Sequence, residues 1–171
     1  MGNFVNLKRI FYFGYTIMRF TGNIEAKSDN KGRVFIPACF RRILQAEGCE
    51  KLILRKEPHQ QCLVLYPECT WNSMVDELRK KLNRWNSYEQ MLFRQFVANV
   101  DELTIDANGR ILLQKKHRNL ADIDQDVCFI GVDDTIEIWS RNRLDNSFME
   151  PDDFGRELER IMTSKEGDKN E

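Results

Sequence analysis

Apolar positions along this chain fall into short runs bounded by turn residues. Leu52-Ile53-Leu54, Leu63-Val64-Leu65, Val127-Cys128-Phe129-Ile130 and Ile136-Glu137-Ile138 are too brief for helices and too apolar for loops. They predict strands near 51–56, 62–66, 126–131 and 135–139. Glu57-Pro58-His59-Gln60 would turn between the first two, and Asp133-Asp134 between the last two. Elsewhere the period lengthens. Trp71, Met74, Val75, Leu78, Leu82 and Trp85 recur on one helical face after Thr70, a good N-cap. Ser87 with Gln90 has capping-box spacing for a second helix through about Val97, with Met91, Phe93, Phe96 and Val97 on its buried side. This aromatic stripe reads as core. Pro37 suits the first turn of a helix over 38–46, which Gly48 would close. Ser140 is a further N-cap, for a helix to about Phe148. Pro151 opens another, with Phe154, Leu158, Ile161 and Met162 as a weak stripe.

The strongest pattern is a duplication. Asp29-Asn30-Lys31-Gly32-Arg33 recurs 77 residues later as Asp106-Ala107-Asn108-Gly109-Arg110. Arg33-Val34-Phe35-Ile36 parallels Arg110-Ile111-Leu112-Leu113, and Phe40-Arg41-Arg42-Ile43-Leu44 parallels His117-Arg118-Asn119-Leu120-Ala121. Turn, strand, short helix, strand, turn and strand follow in the same order in both copies. Asp29 and Asp106 are favoured at turn starts, and Gly32 and Gly109 suit a positive φ that side chains resist.

Composition narrows the function. Of 171 residues, 42% are hydrophobic and 31% charged, as in a globular chain. No apolar run approaches the ~20 residues of a membrane span. The net charge of −1 is unevenly spread. Residues 27–56 carry eight basic side chains, Lys27, Lys31 and Arg33 among them, against three acidic ones, and residues 99–140 carry four against nine. A basic patch suits a polyanion. Equally, both stretches can be solvated faces, or the acidic half of one copy can face the basic half of another.

No P-loop, dinucleotide-binding glycine loop, nucleophile elbow or metal-binding helix occurs. The five cysteines, Cys39, Cys49, Cys62, Cys69 and Cys128, include no Cys-x-x-Cys pair, and His59 and His117 lie far apart. Buried free thiols in a reducing compartment fit better than a zinc site. Asp29 and Asp106 as paired catalytic carboxylates would need a metal cluster, whereas turn capping accounts for both. The chain therefore reads as no enzyme, with no cofactor, no metal and no small-molecule substrate. Arg33 and Arg110 each follow a glycine that fixes the backbone, so each guanidinium is presented on a rigid turn. Such a group can grip phosphate or the O6/N7 edge of guanine. It can also pair with the nearby Asp, and the two roles are compatible.

Met18-Arg19-Phe20-Thr21-Gly22, Asp29 to Arg33, Ile36-Pro37, Phe40-Arg41, Leu65-Tyr66-Pro67 with Trp71, Asp106 to Arg110 and Ile136 to Trp139 together resemble the MraZ family, over roughly residues 18–148. The resemblance implies an α+β fold: an AbrB-like swapped-hairpin β-barrel formed by two internal repeats, with intervening and C-terminal helices. The implied layout is an N-terminal extension (1–17), a SpoVT/AbrB-like repeat (22–69), a helical connector (70–97), a second repeat (98–141), C-terminal helices (142–163) and a disordered tail (164–171). It further implies a cytoplasmic, nucleoid-associated regulator of the division and cell-wall gene cluster. Ring-like homo-oligomers would bind short direct repeats in promoter DNA. Arg33 and Lys31 would contact DNA first, with Lys27 and Arg110 beside them, while Asp29, Gly32, Asp106 and Gly109 would form the turns. Leu113-Gln114 replaces Ile36-Pro37, His117 replaces Phe40 and Asn108 replaces Lys31, so the second copy departs from the first. An oligomeric scaffold with little DNA binding is the alternative.

Overall fold

The computed structural model describes residues 19–164. The expected extension over 1–17 and the expected tail beyond residue 164 lie outside the described residues. The first repeat runs β1 (Phe20–Lys27), β2 (Arg33–Phe35), α1 (Ala38–Ala46), β3 (Lys51–Lys56) and β4 (Cys62–Pro67). Helices α2 (Glu68–Lys81) and α3 (Ser87–Ala98) follow. The second repeat runs β5 (Val100–Thr104), β6 (Arg110–Leu112), α4 (Lys115–Leu120), β7 (Asp126–Asp133) and β8 (Thr135–Ser140), before α5 (Arg141–Leu144) and α6 (Pro151–Thr163). The fold is α+β, and its strand pairs are antiparallel.

The two repeats exchange strands. β1 pairs with β7 of the other repeat, and β5 pairs with β3 in return. The six-stranded sheet has the order β1-β7-β8-β4-β3-β5, and β2 and β6 form a separate two-stranded ribbon. Exchanging every strand for its counterpart reverses that order and leaves it unchanged. A pseudo-twofold axis therefore passes between β4 and β8, where Val64 faces Glu137, and between β2 and β6, where Val34 faces Ile111. The six-stranded sheet is open at β1 and β5, and the described strands do not close a hydrogen-bonded ring.

One core serves both repeats. Phe20, Phe40 and Leu54 from the first pack with Ile111, Phe129 and Ile138 from the second, all at most 2% exposed. Neither repeat can bury these side chains alone, because the sheet that covers them is built from both. Phe20 meets Phe40 edge-on at 5.6 Å between ring centroids.

Several local expectations change. Helix α2 begins at Glu68, not after Thr70. Pro67 stands at its N-cap with φ −52°, already suited to a helix start, and Glu68 complements the first turn. Asn86, not Ser87, caps α3, its side chain accepting from the backbone N–H groups of Tyr88 and Glu89. Gln90 donates to the Asn83 carbonyl, so no capping box forms. Trp85 falls in the turn between the helices and is 95% exposed, and Met91 is also exposed, so neither joins the core. Trp71, Met74, Val75 and Phe96 do pack together. The helix after Ser140 ends at Leu144, short of Phe148. Strands β1 and β5 are additions: Gly22 and Asn23 interrupt the apolar pattern of one, and three polar residues dilute the other.

Candidate nucleic-acid interface

Each repeat's turn is tied by its aspartate. Asp29 Oδ1 accepts the backbone N–H groups of Lys31 and Arg33, both at 2.9 Å, and Oδ2 accepts Arg33 Nε at 2.6 Å. Asp106 repeats the arrangement with Asn108 (2.8 Å), Arg110 N–H (3.0 Å) and Arg110 Nε (2.9 Å). Within each turn, the Gly32 N–H donates to the Asp29 carbonyl and the Gly109 N–H to that of Asp106. The glycines have φ of 85° and 83°, where a Cβ would be strained. Both carboxyls are held below the ordinary carboxylate value, first by the backbone N–H of the motif arginine, then by its guanidinium. Each carboxylate is engaged by two backbone N–H groups and the guanidinium of its own turn, which accounts for both aspartates as turn caps.

The turns are braced across the repeats. The Ile36 N–H donates to the Gly109 carbonyl at 3.1 Å, and the Leu113 N–H to the Gly32 carbonyl at 2.8 Å. Arg41 on α1 lies over Gly109, so that a Cβ there would collide with its guanidinium, and Arg118 on α4 closes over Gly32. Arg41 is anchored by donating Nε to the Ile36 carbonyl at 3.1 Å. Arg118 Nε is buried and has no hydrogen-bond partner among the described residues.

The ribbon sets the outward face. Val34 and Ile111 point inward and are buried. Alternation then sends Arg33, Phe35, Arg110 and Leu112 outward. Arg33 faces Leu112 across the ribbon and Arg110 faces Phe35, so each arginine sits opposite an apolar residue. The structure thus brings Arg33 and Arg110 onto one two-stranded surface, with exposed Lys31 in the first turn. Lys27 sits at the end of β1, two residues before the turn, with its ammonium 3.5 Å from Asp126. The turn motif alone does not point to Arg41, Arg118, Phe35 or Leu112. The 77-residue offset that relates the two motifs also relates Arg41 to Arg118, and that is the signal which finds the bracing pair.

The second repeat rebuilds one corner in polar chemistry. His117, 3% exposed, accepts the Gln114 N–H at Nδ1 and lies 2.9 Å from Asp101 through Nε2, so the proton sits on Nε2. Lys116 shares the same Asp101, whose carboxyl is held low first by that ammonium and then by His117. Among the described residues no three His, Cys, Asp or Glu side chains gather as a metal site. All five cysteines are free thiols, but only Cys62 and Cys128 are buried, and Cys69 is exposed, on the first turn of α2 rather than in the core. Burial pushes the Cys62 thiol up to about 12. No helix among the described residues is long and apolar enough to cross a membrane.

Comparison with known proteins agrees with the duplication. A family model described as "MraZ protein, putative antitoxin-like" matches twice, over residues 19–95 and 96–157. A relative from Phocaeicola vulgatus, named "Transcriptional regulator MraZ", is 62% identical over 145 residues, covering 85% of this chain and 94% of its own. Relatives of the same name from Bacteroides fragilis and Bacteroides thetaiotaomicron are 57% and 52% identical. They cover 85% and 87% of this chain and 92% and 96% of their own. The name gives those relatives a regulatory role, not a catalytic one.

Proposed function

This chain belongs to the MraZ family, and from that premise we propose that it is a sequence-specific DNA-binding transcription regulator acting in the cytoplasm on the nucleoid. The observation that carries the reading is the placement of Arg33 and Arg110 on one ribbon, each steered by its own aspartate. Both ion pairs are partly exposed. Such pairs contribute only about 0–1 kcal/mol, so each guanidinium is oriented yet free to exchange carboxylate for phosphate or guanine. Lys31 and Lys27 extend the positive charge along the first turn. The open sheet and the β2–β6 ribbon together make the AbrB-like swapped-hairpin barrel in this reading.

The recognised DNA is a set of short direct repeats in the promoter of the division and cell-wall gene cluster, as the resemblance implies. A ring of copies would present successive ribbons and turn single weak contacts into avid binding. Exposed Tyr88 and Met91 on α3, and Phe154, Leu158 and Ile161 along α6, supply apolar surface for self-association.

A gel shift with a duplex from the chain's own upstream region tests this. Wild-type protein should retard that duplex at low salt, and Arg33→Ala should not, with unchanged circular dichroism. Failure of the wild type to retard it would leave the oligomeric scaffold as the better reading.

A further inference from the structure

The outward face of the β2–β6 ribbon is not simply basic. Phe35 is 55% exposed and Leu112 44% exposed, although a solvated ribbon face ordinarily carries polar side chains. They are counterparts under the pseudo-twofold axis, since their positions differ by the same 77 residues. Each faces the other repeat's motif arginine across the ribbon. The Arg110 guanidinium lies 5.7 Å from the centre of the Phe35 ring. The face is therefore a chequerboard, with the two cations on one diagonal and the two apolar side chains on the other, and its complement sets negative charge beside small apolar groups. The major groove of DNA fits that description: it admits a two-stranded ribbon, phosphates line its walls, and the C5 methyl of thymine projects into it.

We propose that Phe35 and Leu112 are specificity-determining residues that contact thymine C5 methyl groups beside the positions gripped by Arg110 and Arg33. The inference rests on the DNA-binding reading above and deepens it. It has a second consequence. A flat ring and a branched aliphatic chain occupy equivalent places in the two repeats, so one barrel reads its two half-sites unequally. The bound sequence then has a direction, as a direct repeat requires and a palindrome does not.

The test uses fluorescence anisotropy on the upstream duplex, with thymine or with deoxyuridine in its place, a change that removes only the methyl. Wild-type protein should bind the deoxyuridine duplex about fourfold more weakly for each contacted methyl lost. Phe35→Ala/Leu112→Ala should bind both duplexes equally, with native circular dichroism. Equal binding of both duplexes by the wild type overturns the inference and leaves DNA binding standing. So does a double variant that keeps the deoxyuridine penalty, or one that changes the protein's mass in light scattering without changing the penalty, which would make the face a contact between copies. Absence of wild-type binding to either duplex overturns the DNA-binding reading and this inference with it.

Discussion

Arg41 on α1 of the first repeat covers Gly109 in the turn of the second, and Arg118 covers Gly32 in return. Each motif turn is thus held in shape by the opposite repeat. Gly109→Ala meets both a positive φ and the Arg41 guanidinium. It should cost about 1–3 kcal/mol and lower the melting temperature. Gly155→Ala, at a site in α6 with open space around it, is the control and should be neutral or slightly stabilising. Equal melting temperatures for the two variants would contradict the bracing.

Acid should loosen both turns. The Asp29 and Asp106 carboxyls lie below their ordinary value, chiefly through the backbone N–H groups of Arg33 and Arg110. A depressed carboxylate stabilises the fold above its unfolded pKa of about 3.9 and loses that contribution as pH falls through the lower folded value. The Gly32 and Gly109 amide resonances should therefore hold steady from neutral pH down to about 5 and shift only below about 4. Asp29→Asn should remove the acid response at Gly32 alone. A shift centred near neutral pH would contradict the assignment.

His117→Phe copies the first repeat's Phe40 into the second. It leaves the Gln114 N–H without its acceptor and takes one partner from Asp101. Denaturant unfolding should show a loss of about 1–3 kcal/mol. Greater stability in the variant would mean that packing outweighs the polar corner.

Helix α6 presents Phe154, Leu158 and Ile161 to solvent. If that surface joins copies, Leu158→Glu/Ile161→Glu should yield a smaller species in light scattering while its circular dichroism stays close to wild type. An unchanged mass would remove α6 from the assembly.

The duplication, helix α1 and the two hairpins with their turns are readable from sequence because each rests on local chemistry: Gly at the turn, Pro37 at a helix start, apolar runs between. The strand exchange is not, because β1 and β5 carry weak patterns of their own and are made strands by partners in the opposite repeat, β7 for the one and β3 for the other. Trp85 shows the opposite failure. Its spacing from Trp71 continues the helical stripe, but α2 stops at Lys81 and the indole leaves the core face. At the interface the arginines are legible from the motif. The apolar pair Phe35 and Leu112 is not, since alternation in a three-residue strand cannot say which face is covered.

In the proposed reading the ribbon arginines hold DNA. Anisotropy titrations of the upstream duplex across a salt series, with wild type, Arg33→Ala and Arg110→Ala, separate their contributions. Wild-type affinity should fall steeply with salt. Each variant should bind more weakly, with a log–log slope smaller by about one for each phosphate contact removed. Affinity and slope unchanged in both variants would contradict the claim.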